Sequence, residues 1–301
     1  MKKNHPTRKL NVTEFLKKFS NEDVCLEHVM KVRFGLRHTC AACGMVNATF
    51  HRIANRKKFE CAHCGAHVAP CAGTIFHKSS TSLQVWFYAI YLFSVSRNGV
   101  GGMELHRALG VTRKTGQRMA RQIRILMGKA DNADARILSG VVESDEAFVG
   151  GALYGKGQGN YRSNKVIILG LKERGGRIVA RIIPDTKSET IRAEFHKHIS
   201  PNASIHTDEA KHYGLVKRDS WDHKFVNHSA EQYVRPDHLT GGPDIHVNGM
   251  ENFWRNFKSA VRGTHIHISK RHAQKYVDEF TFRANSRRLG NAMFDALIAA
   301  V

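Results

Sequence analysis

The sequence predicts an α/β chain in which a small cysteine-knuckled ribbon and a helical segment precede a larger domain of strands and helices. Three observations predict it. Two C-x2-C knuckles stand near the N-terminus, apolar-periodic helical stretches follow them, and beyond about residue 138 the pattern changes to short β-rich runs broken by Gly-containing turns. The 301 residues suffice for two or three domains. The expected division is an N-terminal helical segment over 1–35, the ribbon over 36–76, a helix-turn-helix-like region over 80–132 and an α/β domain over 138–290.

In the ribbon, Cys40-Ala-Ala-Cys43 and Cys61-Ala-His-Cys64 lie seventeen residues apart, the spacing of a four-thiolate zinc site. Gly44 and Gly65 follow the two knuckles and permit the tight turns that aim two sulfurs at one metal. The intervening runs Ala48–Ile53 and Lys57–Cys61 suit two strands. A reducing cytoplasm disfavours the disulfide alternative. Cys25 and Cys71 read as packed thiols, and His63 and His67 as substitute ligands that four cysteines make unnecessary.

Ser82 to Ser94 is an apolar stretch with Ser82 placed as an N-cap, and two further helices are expected at about 101–109 and 112–127 with Gly110 between them. An apolar-periodic helix, a Gly-containing turn and a helix opened by Thr112 and dense in base have the texture of a helix-turn-helix. A plain helical hairpin with a solvated basic face is the alternative. Arg113, Lys114, Arg118 and Arg121 are the candidate DNA contacts.

The α/β domain opens with the strand-like run Val141–Val149, bounded by Gly150 and Gly151. Lys165–Lys172 and Arg177–Ile183 form a hairpin through Glu173–Gly176. A helix over Ser188–Ile199, a strand ending at Asp208, a short strand near Lys224–Val226 and C-terminal helices complete the order. Three strands, a helix, two strands and helices describe a ribonuclease-H-like core, in which the first and fourth strands would be neighbours.

That order gives meaning to three acids. An isolated Asp or Glu is ordinarily a solvated charge. Asp145, however, sits inside an apolar strand, Asp208 ends one, and Glu251 opens a helical stretch with Arg255 and Lys258 at i+4 and i+7. Three carboxylates brought together are what two oxygen-seeking divalent cations, Mg2+ or Mn2+, require. Glu143 and Glu146 read as structural neighbours, since period-two alternation points Glu146 away from the face of Asp145.

Lys and Arg number 47 against 26 acids, a net charge of +21, which implies a polyanionic partner. The excess of base is concentrated in the first half, so the front of the chain reads as a DNA grip. The apolar run Val85–Phe93 falls short of the roughly 20 residues a bilayer needs, so no membrane partner is expected. The N-terminus is basic without a following apolar stretch, so the cytoplasm is the expected location. The glycine-rich segment 150–165 offers Tyr154, Lys156, Tyr161 and Arg162 to DNA near a scissile phosphate. His265 and His267 would share a strand face if Thr264–His272 were extended.

Glu143–Gly151, Thr207–Ala210 with Tyr213, and His246–Trp254 with Lys258 resemble the corresponding motifs of bacterial insertion-sequence transposases of the IS1595 group, with the domain called ISXO2-like. Arg262–His265 and Glu279–Asn285 match that family's C-terminal pattern. The resemblance covers about residue 15 to residue 288. It implies a zinc ribbon, a helix-turn-helix-like segment and a DDE catalytic domain that frees a transposon 3′ end and joins it to target DNA, on a homodimer bound to DNA in the bacterial nucleoid. Ser144 departs from the pattern, since an aliphatic residue is usual there. The family is divided between Asn and Glu as third metal-facing residue, and this sequence offers both Asn248 and Glu251. Glu251 is favoured because an anionic oxygen neutralises a dication better than an amide, and Lys258 follows at the expected spacing. Asp145 would bridge the ions, Asp208 and Glu251 would hold one each, and Lys258 or Arg255 would meet a phosphate oxygen. Two other readings stay open. A DNA-binding regulator would share the ribbon and the charge without needing the acids, and a structure-selective nuclease would share the acids without joining ends.

Overall fold

The computed structural model describes residues 10–150, 165–208, 213, 219, 221–227, 230, 232–237, 241–266, 268–290 and 292–301. The chain divides into two compact units, Met1–Ala130 with Ser286–Val301, and Asp131–Asn285.

The first unit begins with α1 (Val12–Lys18), whose start is fixed by a capping box: the Asn11 side chain accepts the Glu14 N–H at 2.8 Å, and Glu14 returns the bond to the Asn11 N–H. Asn21 caps α2 (Glu22–Arg33) in the same role. Four short antiparallel strands follow, β1 (Arg37–His38), β2 (Ala48–Arg52), β3 (Phe59–Cys61) and β4 (His67–Val68), in that spatial order. β2 and β3 coincide with the two ribbon strands read from the sequence, and β1 and β4 extend them.

The apolar helix is α3 (Leu83–Val95), with Ser82 accepting the Val85 N–H as predicted. Next come α4 (Gly102–Leu109) and α5 (Arg113–Asn132), separated by Gly110 in left-handed conformation at φ +64°. Their crossing is glycine-lined. A Cβ on Gly116 would lie 2.5 Å from the Gly102 carbonyl oxygen, so the two backbones touch directly. α5 runs five residues beyond the expected end.

Asp131–Asn285 form an α/β sandwich. Its sheet comprises β5 (Val141–Val149), β6 (Val166–Glu173), β7 (Ile178–Ile183), β8 (Ser204–Thr207) and β9 (Asp222–Phe225), with α6 (Ser188–His198) between β7 and β8. The order is β7-β6-β5-β8-β9. The first three strands are antiparallel, while β8 and β9 run parallel to β5. Period-two alternation sends Val142, Leu169 and Leu171 to a core with Ile191 and Phe195 of α6. The opposite face, with Ala147, Val149, Val166 and Ile168, packs under α7 (Asn248–Ala260) and α8 (Ala273–Asn285) through Met250, Trp254, Phe257, Val277 and Phe280.

β7 is an edge strand, and α8 closes that edge with two amides. Asn285 accepts the Ile178 N–H at 2.8 Å and donates to the Ile178 carbonyl, while Gln274 accepts the Ile182 N–H at 2.9 Å and donates to the Ala180 carbonyl. The last helix, α9 (Ala292–Ala299), returns to the first unit, where Phe294 packs among Phe15, Phe19 and Phe87 with ring centroids 5.3–5.9 Å apart. Among the described residues no helix is long and apolar enough to cross a membrane.

Candidate functional site

The ribbon brings the Sγ atoms of Cys40, Cys43, Cys61 and Cys64 all within 4.8 Å of one another. Gly44 and Gly65 adopt φ of +72° and +73°, and their N–H groups donate to the Cys40 and Cys61 carbonyls. The backbone N–H groups of Cys43 and Ala42 draw the Cys40 thiol down to about 6. The Ala66 N–H pulls Cys64 the same way, yet the surrounding cysteine sulfurs push it up to about 12. Four thiolates this close cannot all ionise unless a cation neutralises them, and soft donors in a tetrahedral set fit Zn2+. Among the described residues this is the one such close group of ligand atoms, and His63 and His67 are not part of it. Cys25 and Cys71 are buried, and burial pushes their thiols up to about 12 and about 11. They are packed side chains.

Of the basic residues singled out on α5, Arg113, Lys114 and Arg121 are exposed. Arg118 differs. Its guanidinium lies 5.4 Å from the Trp86 ring centroid and donates to Ser79 Oγ at 3.3 Å, so it is held against the unit's own interior. Lys156 and Arg162, with Tyr154 and Tyr161, lie outside the described residues.

The acids approach one another from three elements. β5 and β8 pair in parallel through Glu143 and His206, and both chains continue two residues further, to Asp145 and to Asp208. Glu251 stands exposed in the first turn of α7, which begins at Asn248 rather than at the acid itself. Burial, then the charges of Glu146, Asp208 and Glu251, raise the Asp145 carboxyl from an ordinary 3.8 to about 7. The Glu146 backbone N–H, donating to Asp145 Oδ1 at 2.9 Å, only partly offsets them. An all-carboxylate donor set under mutual repulsion fits hard divalent cations.

The neighbours of Asp145 divide by strand face. Ser144, on the even-numbered face, is fully buried and hydrogen-bonded to the Tyr213 hydroxyl at 3.2 Å, and that hydroxyl donates to Glu146. The residue that departs from the aliphatic pattern is thus a satisfied partner for a buried tyrosine, and Glu146 does point away from the face of Asp145. Across β6, Asp145 pairs with Gly170. A Cβ at Gly170 would fall 2.2 Å from Met250 Cε and 2.5 Å from Trp254 Cζ2, so this glycine lets α7 close on the sheet beside the acid. A glycine inside a strand-like run is the sequence signal for that approach.

Further along α7, Arg255, Lys258, Ser259, Arg262 and Gly263 line an open cavity of about 550 Å3. The exposed Arg255 guanidinium donates to Asn252 Oδ1 at 2.7 Å. Arg262, four residues beyond Lys258, continues the ridge that the sequence marks from Glu251 to Lys258. Asn248 is exposed at the first helical position. The extended reading of the histidine stretch is corrected, because Val261–His265 is a π-helical turn continuing α7. His265 therefore lies on no strand face, and His267 is outside the described residues.

Comparison with known proteins gives two family matches and one relative. A transposase zinc-ribbon domain matches residues 20–67, and an ISXO2-like transposase domain matches residues 137–285. An uncharacterized transposase-like protein of Haemophilus influenzae is 22% identical over 113 residues, covering 38% of this chain and 85% of the relative.

Proposed function

Because this chain belongs to the IS1595 family of transposases, carrying that family's zinc ribbon and ISXO2-like domain in one polypeptide, we propose that it binds the ends of an insertion sequence, cleaves the 3′ ends and joins them to target DNA. The observation that supports this reading is that Asp145 on β5 has Asp208 just past the end of the parallel neighbour β8 and Glu251 in the first turn of α7, the helix packed on that face. Burial, Glu146 and these two charges raise the Asp145 carboxyl together. Asp145, Asp208 and Glu251 would hold two Mg2+ or Mn2+ ions. Glu251 is preferred over Asn248 because only an anion contributes to the repulsion that a dication relieves. When bound, the ions would lower the pKa of the attacking hydroxyl and neutralise charge on the leaving oxygen.

The chain's own groups do the positioning. Lys258 and Arg255, with Arg262 beyond them, offer cations on the ridge that Glu251 begins, where a phosphate oxygen would be met. In the first step water attacks phosphorus at the element's end and leaves a 3′-hydroxyl. In the second, that hydroxyl attacks a target phosphodiester and releases a target 3′-hydroxyl. Arg113, Lys114 and Arg121, with Lys156 and Arg162, serve end binding. A structural Zn2+ on Cys40, Cys43, Cys61 and Cys64 holds the ribbon together. The protein works as a homodimer on DNA in the bacterial nucleoid, because two ends must be processed.

The test is cleavage and joining of a labelled DNA carrying the element's own end, in Mg2+ or EDTA. Joined products should vanish with EDTA and with Asp145→Ala, Asp208→Ala and Glu251→Ala. Loss confined to Asn248→Ala would move the third ligand there. Cleavage without joining would identify a nuclease, and tight binding without any metal-dependent chemistry a regulator.

A further inference from the structure

The start of α7 has an unusual cap. Val247, its N-cap residue, supplies no side-chain hydrogen bond, and the Met250 N–H is shared between the Val247 carbonyl at 3.0 Å and Glu143 Oε2 at 3.1 Å, from a strand 107 residues away in sequence. Glu143 is 1% exposed. It lies two residues before Asp145 on the same face of β5, so one strand segment carries both groups. Its other oxygen meets Arg174 Nε at 3.3 Å and His246 Nδ1 at 3.3 Å.

Arg174 completes a clamp. Its guanidinium donates to the Asp244 carbonyl at 2.8 Å and the His246 carbonyl at 3.2 Å, pinning the segment that leads into α7. It also reaches His206 Nδ1 at 3.3 Å on β8. Arg174 Nη2 also stands 3.3 Å from His246 Nδ1, so the tautomer sets whether that nitrogen accepts from the guanidinium or donates to Glu143. The approach is close on the helix side: a Cβ at Gly249 would stand 2.5 Å from Glu143 Oε2 and 2.6 Å from Lys172 Nζ, so these side-chain ends would have to shift.

We propose that Glu143 is a positioning residue of the metal site, a buried carboxylate that caps α7 from the sheet and so sets where Glu251 stands relative to Asp145. The inference rests on the metal-dependent reading above. It differs from a merely stabilising ion pair in what must move when it is lost. A stabilising pair would lower the melting temperature and leave the folded site unchanged. A positioning cap would free the first turn of α7 and weaken the cation site in protein that is still folded.

The experiment uses the zinc-loaded full chain and three measurements: direct Mn2+ binding by EPR, amide exchange of the first turn of α7 without Mn2+, and end-DNA affinity. Glu143→Ala should bind Mn2+ about 10- to 100-fold more weakly, the range seen when a group that orients metal ligands is removed. It should also lose protection in the first turn of α7 while binding end DNA as wild type does. Glu143→Gln keeps an acceptor for the Met250 N–H and should recover much of the loss. If Glu143→Ala does not fold, Gly249→Ala crowds the same contact and should show the same weakening. Folded variants with wild-type Mn2+ affinity and wild-type exchange overturn the proposal. Should Mn2+ binding depend on Asp145 and Glu143 while wild type cleaves no end DNA, the clamp stands and the transposase reading fails.

Discussion

Asp145 concentrates the electrostatics of the site. With its carboxyl raised from 3.8 to about 7, the folded protein keeps a proton across that window that the unfolded chain has released, so this group's contribution to stability falls as pH rises from about 4 to about 7. His206 works in the opposite sense. Burial and then the Arg174 guanidinium push it down to about 4, so its contribution grows as pH rises from about 4 to 6.5. The difference between Asp145→Asn and wild type isolates the first effect. Without divalent cations, Asp145→Asn should be more stable than wild type by roughly 1–3 kcal/mol at pH 8 and nearly equal to it at pH 4. Melting temperatures across that range check this, and a difference that stays constant with pH would contradict it. The same substitution should abolish Mn2+-dependent cleavage, so the group that costs stability at high pH is the one the chemistry needs.

Among the elements, the crossing of α4 and α5 shows packing overriding propensity. Gly116 lies inside α5, where Ala would be favoured by about 1 kcal/mol on helix propensity alone. The new Cβ would lie 2.5 Å from a backbone carbonyl oxygen that no rotamer change can move. Overpacking of this kind costs typically about 1–3 kcal/mol, so the clash outweighs the gain. Gly116→Ala should therefore destabilise the first unit and weaken end binding, as urea unfolding and a binding titration would show. A stabilised variant with unchanged binding would mean that the helices can part freely. The edge of β7 is handled differently: two amides of α8 pair its backbone groups, which removes a template for strand addition.

For the molecule as a whole, the net charge of +21 makes salt the main lever on DNA affinity. Replacing Arg113, Lys114 and Arg121 together by Ala should weaken binding to all sequences and reduce the slope of log K against log salt by about 1 for each phosphate that is no longer neutralised. Arg118→Ala should change the slope least, because its guanidinium is held by Trp86 and Ser79. Equal slopes for all four residues would assign Arg118 to the DNA as well. The division of the chain has its own consequence. Ser286–Val301 belong with the N-terminal unit, so a truncation after Asn285 removes Phe294 from the aromatic core of that unit and leaves the α/β unit's own residues intact.

What the sequence by itself determined is what one element or one short motif encodes. The paired knuckles, the Ser82 cap, the Gly110 break and the strand order that makes β5 and β8 neighbours were all legible, because capping, turn chemistry and hydrophobic period act over a few residues. The acids were legible as candidates for the same reason: Asp145 stands inside a periodic run, Asp208 ends one and Glu251 stands near the start of one. Only the tertiary structure decided that Glu143 caps α7, that Gly170 and Gly249 make room for that helix, that Arg118 turns inward and that α9 joins the first unit. Each of these depends on a partner far away in the chain. Their physical cause is a close approach between elements, and spacing along one element carries no record of what packs against it.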